Sequence, residues 1–211
     1  MALIEGNGRA NFLEGTSAAD RIFGFGGDDE ILGRRRADEI DAGTGADRVD
    51  GNFGNDLIFG RGGRDDLDGG NGNDVLIGNT LGDELDGDDG DDRLFGGGGN
   101  DDLEGGAGDD RLRGNVGRDI LEGDDGDDFL AGGAGADRFE FGQGDGSDVI
   151  LDFGNDIDRL DFSEFEFADA DEALETAVQV GADVVFQLEP STRVSVWRMD
   201  LADFDSGDFI L

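Results

Sequence analysis

Glycine recurs every nine residues from Gly6 to Gly132 in a register that never slips: fourteen of the fifteen positions are Gly, and the exception is Ala42. The sixth residue of each nonad is Asn11 once and Asp thereafter, from Asp20 to Asp137, and the eighth is always apolar, from Leu13 to Phe139. A fixed period of this length calls for a repeat architecture before any other reading. It also reinterprets the composition. The 211 residues hold 54 Asp and Glu against 16 Arg and no Lys, with 41 Gly and a net charge of −38. Taken alone, those figures suit a disordered acidic chain with too little apolar surface to offset its conformational entropy. Disorder gives no reason for carboxylates and aliphatics to keep fixed offsets over so many repeats.

One nonad can be read physically. A stretch of the type Gly-Gly-x-Gly-x-Asp supplies backbone that turns with positive φ and comes close to a ligand, and the Asp adds an anionic oxygen. The final x-apolar-x is a short strand with one side chain inward and two outward. Two turns and two strands close a coil of 18 residues, so stacked coils predict two parallel sheets around a thin aliphatic core. At about 4.8 Å per layer, roughly seven to eight layers make a rod of roughly 35 Å.

The charge of −38 disfavours nucleic acid and anionic lipid as partners and leaves cations. With no His and no Cys, a His-bearing zinc site, a Ser-His-Asp triad and a cysteine nucleophile are all excluded. No stretch reads as a membrane span, and Met1 to Asn11 has neither the basic start nor the apolar run of a signal peptide. Export would then use another route.

Segments such as Gly69 to Ile77 (GGNGNDVLI) and Gly105 to Arg113 (GGAGDDRLR) resemble the RTX nonapeptide, GGxGxDxUx, over residues 6 to 140. The resemblance implies an all-β fold: a right-handed parallel β-roll, a two-sheet β-solenoid, over residues 1–140, followed by a β-rich cap with a short helix over 141–211. It also implies calcium ions between turns 18 residues apart, each bound by two Asp carboxylates and turn carbonyls. All-oxygen ligation suits a hard cation of that size. One ladder would comprise Asp56, Asp74, Asp92, Asp110 and Asp128; the other Asp29, Asp47, Asp65, Asp83, Asp101, Asp119 and Asp137. The carbonyls implied are those of Gly51, Phe53, Gly69, Asn71, Gly87, Asp89, Gly105 and Ala107 beside the first ladder. Beside the second they are those of Gly96, Gly98, Gly114, Val116, Gly132 and Ala134. About eight Ca2+ ions are expected.

Departures from the motif bear on that count. Ala18, Arg36 and Leu81 stand where the fourth-position Gly belongs, which weakens the turns around Gly15, Gly33 and Gly78. The run Arg34, Arg35 and Arg36 either neutralises Asp20, Asp38 and Asp56 in place of a cation or forms a solvated basic loop. Beyond the repeats, Asp145 and Asp148 are candidates for one more cation site.

The two outer faces differ. One carries Asp66, Asp68, Glu84, Asp86, Asp102 and Glu104; the other carries Leu57, Phe59, Val75, Ile77 and Phe95, an apolar stripe. Such a stripe is either covered by the chain itself or is a contact surface for self-association or a partner. In the C-terminal segment, 170–179 reads as an amphipathic helix capped by Asp169 or Asp171, and 184–188 with 193–197 as a hairpin. The ending Asp208, Phe209, Ile210 and Leu211 is similar to the uncleaved export signal of type I secretion substrates. The functional expectation is a secreted, extracellular, non-enzymatic module that folds on binding Ca2+ and is exported by a type I secretion apparatus. The alternatives are a calcium-dependent adhesin or glycan-binding module, and the C-terminal module of a larger secreted hydrolase or epimerase.

Overall fold

The structure, a computed structural model, describes residues 1–154 and 157–211. The chain coils into two parallel sheets whose strands alternate along the sequence. The first sheet takes Leu3–Gly8, Arg21–Gly26, Glu39–Thr44, Leu57–Gly62, Val75–Thr80, Arg93–Gly98, Arg111–Gly117, Phe129–Gly135 and Gly146–Ile150. The second takes Phe12–Glu14, Glu30–Arg35, Arg48–Phe53, Asp66–Asp68, Glu84–Asp86, Asp102–Glu104, Ile120–Glu122, Arg138–Glu140 and Arg159–Asp161. Register follows the period of 18, as in Leu57↔Val75 and Leu85↔Leu103. This is the two-sheet β-solenoid that the nonads predict. It is longer than seven to eight layers because residues 146–150 and 159–161, beyond the last nonad, continue the stack.

The eighth-position residues fill the space between the sheets, and Ile22, Ile40, Ile58, Leu76, Leu94, Leu112 and Leu130 line one side of it, buried. One aliphatic per strand is a thin core. Burying a Leu or Ile side chain contributes on the order of 1.5–3 kcal/mol, so the layers also depend on what neutralises their turns.

At the far end the core becomes aromatic. Phe162 lies 5.8 Å from Phe141, 5.6 Å from Phe186 and 5.9 Å from Phe209, ring centre to ring centre. Thr192–Val196 extends the first sheet in parallel, and Asp183–Gln187 and Ala177–Val180 follow antiparallel, so the predicted hairpin is present. The predicted helix is shorter than 170–179. It spans Ala170–Glu175, with Asp169 as N-cap accepting the Glu172 N–H at 3.1 Å. Val178 and Val180 instead join the edge strand, because the β-branched pair precedes a turn at Gly181 (φ +69°). Phe209–Ile210 closes the second sheet beside Arg159–Asp161. The cap therefore prolongs both sheets, and the apolar stripe stays half-exposed on the outer face of the first.

Candidate metal centre

Each repeat Asp sits at the entry to its strand with its carboxylate turned inward under the glycine turn, and all fourteen from Asp20 to Asp137 are buried. The two oxygens of each carboxylate have different fates. Oδ1 accepts the backbone N–H of the Asp one layer earlier: Asp56 to Asp74 at 2.6 Å, Asp74 to Asp92 at 2.6 Å, Asp92 to Asp110 at 2.7 Å. The second ladder repeats this, with Asp65 to Asp83 and Asp83 to Asp101 both at 2.9 Å. Oδ2 is buried without any hydrogen-bond partner in Asp29, Asp38, Asp47, Asp56, Asp65, Asp74 and Asp83, and likewise in Asp92, Asp101, Asp110, Asp119, Asp128 and Asp137. A single orphaned charged oxygen costs several kcal/mol. Thirteen in two stacked rows are sustainable only with protons or a cation.

Glycine leaves space for one. A methyl group on Gly51 would stand 2.7 Å from Asp56 Oδ2 and 2.6 Å from the Gly69 carbonyl oxygen; on Gly105, 2.6 Å from Asp110 Oδ2 and 2.7 Å from the Gly123 carbonyl. The orphan oxygen and a carbonyl of the next layer thus converge on the volume that the missing side chain vacates. Third-position carbonyls are partly engaged: those of Asn71, Asp89, Ala107 and Val116 each accept one N–H, from Gly54, Gly72, Gly90 and Gly99, at 2.7 to 2.9 Å. A carbonyl retains a second lone pair after one such bond. Among the described residues no group of three or more carboxylates is placed to hold an ion by itself. Backbone oxygens must therefore complete any coordination shell, and this donor set fits Ca2+.

Electrostatics agree. Burial, with Asp74 and Asp110 as like-charged neighbours, pushes the Asp92 carboxyl up to about 8. Burial does the same to Asp56 and Asp83, to about 7, and to Asp74 and Asp110, to about 6. Asp128 and Asp148 form a coupled buried pair, both raised by desolvation.

Of the residues at the ladder ends, Asp20, Asp148 and Asp158, only Asp148 is a site candidate from the sequence. Asp20 needs no ion: its Oδ2 accepts the N–H and the hydroxyl of Thr16, each at 2.7 Å. Asp158 ends the second ladder, accepting N–H bonds from Asp137 at 2.9 Å and Gly154 at 2.6 Å. Asp148 ends the first, where its Oδ1 accepts the Asp128 N–H at 3.2 Å. Asp145, a like-charged neighbour that helps to raise the Asp148 carboxyl, accepts the Gly142 N–H at 2.5 Å beside Glu122, Asp124 and Glu164.

Of the two readings of the arginine run, the structure shows the exposed basic loop and not the replacement of a cation. Arg34 pairs with Glu14, Arg35 and Arg36 are exposed, and Asp38 and Asp56 keep their orphaned oxygens. Positive φ at Arg34 (84°) and Arg36 (71°) holds the turn while directing the long side chains to solvent. Arg36 and Leu81 (φ 73°) do reshape their turns, since the stacked counterparts Gly54, Gly72, Gly63 and Gly99 have φ between 140° and 158°. That region is open to glycine alone.

A family model for the RTX calcium-binding nonapeptide repeat (4 copies) matches residues 5–40, 41–76, 77–112 and 113–150. Among solved structures, the solution structure of the AlgE6R3 subunit from the Azotobacter vinelandii mannuronan C5-epimerase is 28% identical, with 64% of this chain and 80% of that chain covered and a TM-score of 0.38. The crystal structure of the extracellular lipase LipA from Serratia marcescens is 18% identical at a TM-score of 0.41; the match covers 93% of this chain but only 40% of the lipase. No curated protein matches the chain.

Proposed function

Since the chain belongs to the family of RTX calcium-binding nonapeptide repeat proteins, we propose that it is the calcium-dependent folding module of a secreted protein, itself non-catalytic. The observation that carries this reading is the pair of rows of buried Asp Oδ2 atoms without partners. In the unfolded chain those carboxylates are hydrated and their mutual repulsion keeps the chain expanded. In the folded chain they face one another across layers about 4.8 Å apart. Bound Ca2+ supplies the positive charge that lets the carboxylates ionise in place, so binding free energy becomes folding free energy. The glycine turns contribute carbonyls, the Oδ1 ladder fixes each carboxylate's rotation, and the aliphatic stack excludes water from one side. About eight sites fill at extracellular calcium, with the reshaped Arg36 and Leu81 turns the weakest.

Export is the second half of the proposal: the apparatus reads Asp208 to Leu211 in the unfolded chain. Once folded, the tail is paired, with the Leu160 and Phe162 N–H groups donating to the Asp208 and Ile210 carbonyls at 2.8 Å each. The module is thus exported before calcium folds it. Among the described residues no helix is long and apolar enough to cross a membrane.

A circular dichroism titration tests the folding claim: coil in chelator at neutral pH and β-structure at millimolar calcium are expected, and full β-structure in chelator would overturn it. Deleting only residues 208–211 in cells that carry the transporter tests export, where undiminished secretion would sink that half alone.

A further inference from the structure

A groove of about 480 Å³ opens on the outer face of the first sheet where the roll meets the cap, and its lining contains no carboxylate. In a chain with 54 acidic residues that absence is notable, and the lining holds Arg93, Arg111 and Arg113 instead. The three guanidinium-bearing residues are exposed, and among the described residues none forms an ion pair with a carboxylate. Five other arginines do, including Arg21, Arg48 and Arg61. Aromatic rings flank the three: half-buried Phe95 and Phe129, and Trp197, the chain's single tryptophan and 45% exposed. The Arg111 guanidinium lies 5.5 Å from the centre of the Phe129 ring.

From this arrangement we propose that the groove binds an acidic oligosaccharide whose carboxylates recur once per sugar. Planar guanidinium groups take carboxylates in two-pronged hydrogen bonds. Exposed aromatic faces suit the C–H faces of sugar rings, and a largely apolar groove with few polar groups is the usual form of a small-ligand site. The spacing of the arginines is compatible with such a sugar. Arg93 and Arg111 are register partners on adjacent strands, so their backbones are about 4.8 Å apart along the roll axis. One pyranose in an extended glycan advances by a similar distance. Arg113 stands two residues from Arg111 on the same strand, roughly 6.8 Å along it, so spacing does not by itself exclude an extended acidic peptide, and the flanking aromatic faces are what favour the sugar. A second copy of this chain as occupant would bring another charge of −38. The molecule's own acidic outer face lies on the other sheet, so the charges that line the groove itself are those of the arginines.

The site needs the folded roll but not the export reading, so the test uses the full chain at millimolar calcium, with circular dichroism alongside to confirm folding. Titration calorimetry with trigalacturonate, too short to gel with calcium, is expected to give saturable binding, and neutral maltotriose none. Arg111→Ala and the double variant Arg93→Ala/Arg113→Ala should each weaken binding by about tenfold or more. Trp197→Ala should weaken it as well, and Arg35→Ala, at the exposed end of the strand Glu30–Arg35 in the second sheet, should leave it unchanged. Equal affinity for maltotriose, no binding of trigalacturonate by folded protein, or an Arg111→Ala affinity equal to the parent's would overturn the proposal. Tighter binding of triglutamate, or arginine-dependent dimers in light scattering, would assign the groove to an acidic peptide or a second copy instead. A chain that stays unfolded in calcium would point to failure of the folding reading, a result that circular dichroism separates from loss of the groove.

Discussion

The backbone N–H of Asp74 donates to Asp92 Oδ1 at 2.6 Å, while the Oδ2 of the same Asp92 carboxylate is buried with no partner. One oxygen thus belongs to the fold and the other to a cation. The two roles separate in Asp92→Asn, which keeps an acceptor for Asp74 but removes the charge. Without calcium, Asp92→Asn should be as stable as the parent or more so, because a buried unpaired charge is gone. With calcium it should lose affinity at the two flanking layers and about 1–3 kcal/mol of folding free energy. Asp92→Ala should be worse under both conditions. Calcium titrations of the three proteins by circular dichroism check the crossing; equal calcium midpoints for parent and Asn variant would refute the division of roles.

The raised carboxyls set a pH dependence whose sign reverses with calcium. Their folded values, about 6 for Asp74 and Asp110, 7 for Asp56 and Asp83 and 8 for Asp92, exceed the unfolded value, which is about 3.9. A group raised on folding stabilises fully below its unfolded value, and that contribution is lost as pH rises through the folded value. In chelator the roll should therefore form near pH 4 and lose stability as pH climbs from about 4 to about 8. In calcium the ionised form is the binding form, so affinity should rise over the same interval and binding at about pH 6.5 should release protons. Dichroism against pH with and without chelator, plus a dye measurement of proton release, provides the check. Metal-free β-structure that strengthens with rising pH would contradict the assignment.

Close stacking of the fourth-position glycines predicts a sharp positional effect. Gly117 has φ +154°, and a methyl group there would collide with the Gly99 carbonyl oxygen of the preceding layer. Gly8, on the first layer, would place a methyl group within 4 Å of nothing. Gly117→Ala should cost about 1–3 kcal/mol and raise the calcium midpoint, whereas Gly8→Ala should be close to neutral. Comparable midpoints for the two variants would mean that the turns are looser than their carbonyl contacts indicate.

The period of nine contains nearly all of the roll: which residues are buried, which strands pair, and which carboxylates gather. It does so because each layer repeats one local decision. What it does not contain is the fate of the individual Asp oxygens, since Oδ1 is claimed by an N–H 18 residues away and no residue type signals this. The chain ends were equally hidden. Asp20 is satisfied by Thr16, which replaces the second Gly of its own nonad, and Asp158 by Gly154, in a turn beyond the last repeat. The short helix stops at Glu175 because tertiary pairing of the following strand overrides a helical pattern that would otherwise run on. The arginine run left two readings open because its charge was visible in the sequence and the positive-φ backbone that turns it outward was not.

The aromatic cap makes a last prediction about where folding is anchored. Phe162 is fully buried, touches Phe141, Phe165, Phe167, Phe186 and Phe209, and follows directly on the strand that pairs with Phe209–Ile210. Parallel stacks expose unpaired strand groups at an open end, and a repeat array without a finished end loses stability layer by layer. Phe162→Ala removes a large buried ring and should cost about 3–5 kcal/mol, although the residue lies outside every repeat. Because folding is coupled to binding, that loss should appear as a higher calcium midpoint for the entire roll, and not as local fraying of the cap. Phe53→Ala, at an exposed ring on the last residue of the strand Arg48–Phe53, should leave the midpoint in place. Hydrogen exchange at saturating calcium distinguishes the outcomes: protection lost along the whole length in Phe162→Ala supports an end-anchored stack, and protection lost only after residue 141 would show that the repeats fold independently of their cap.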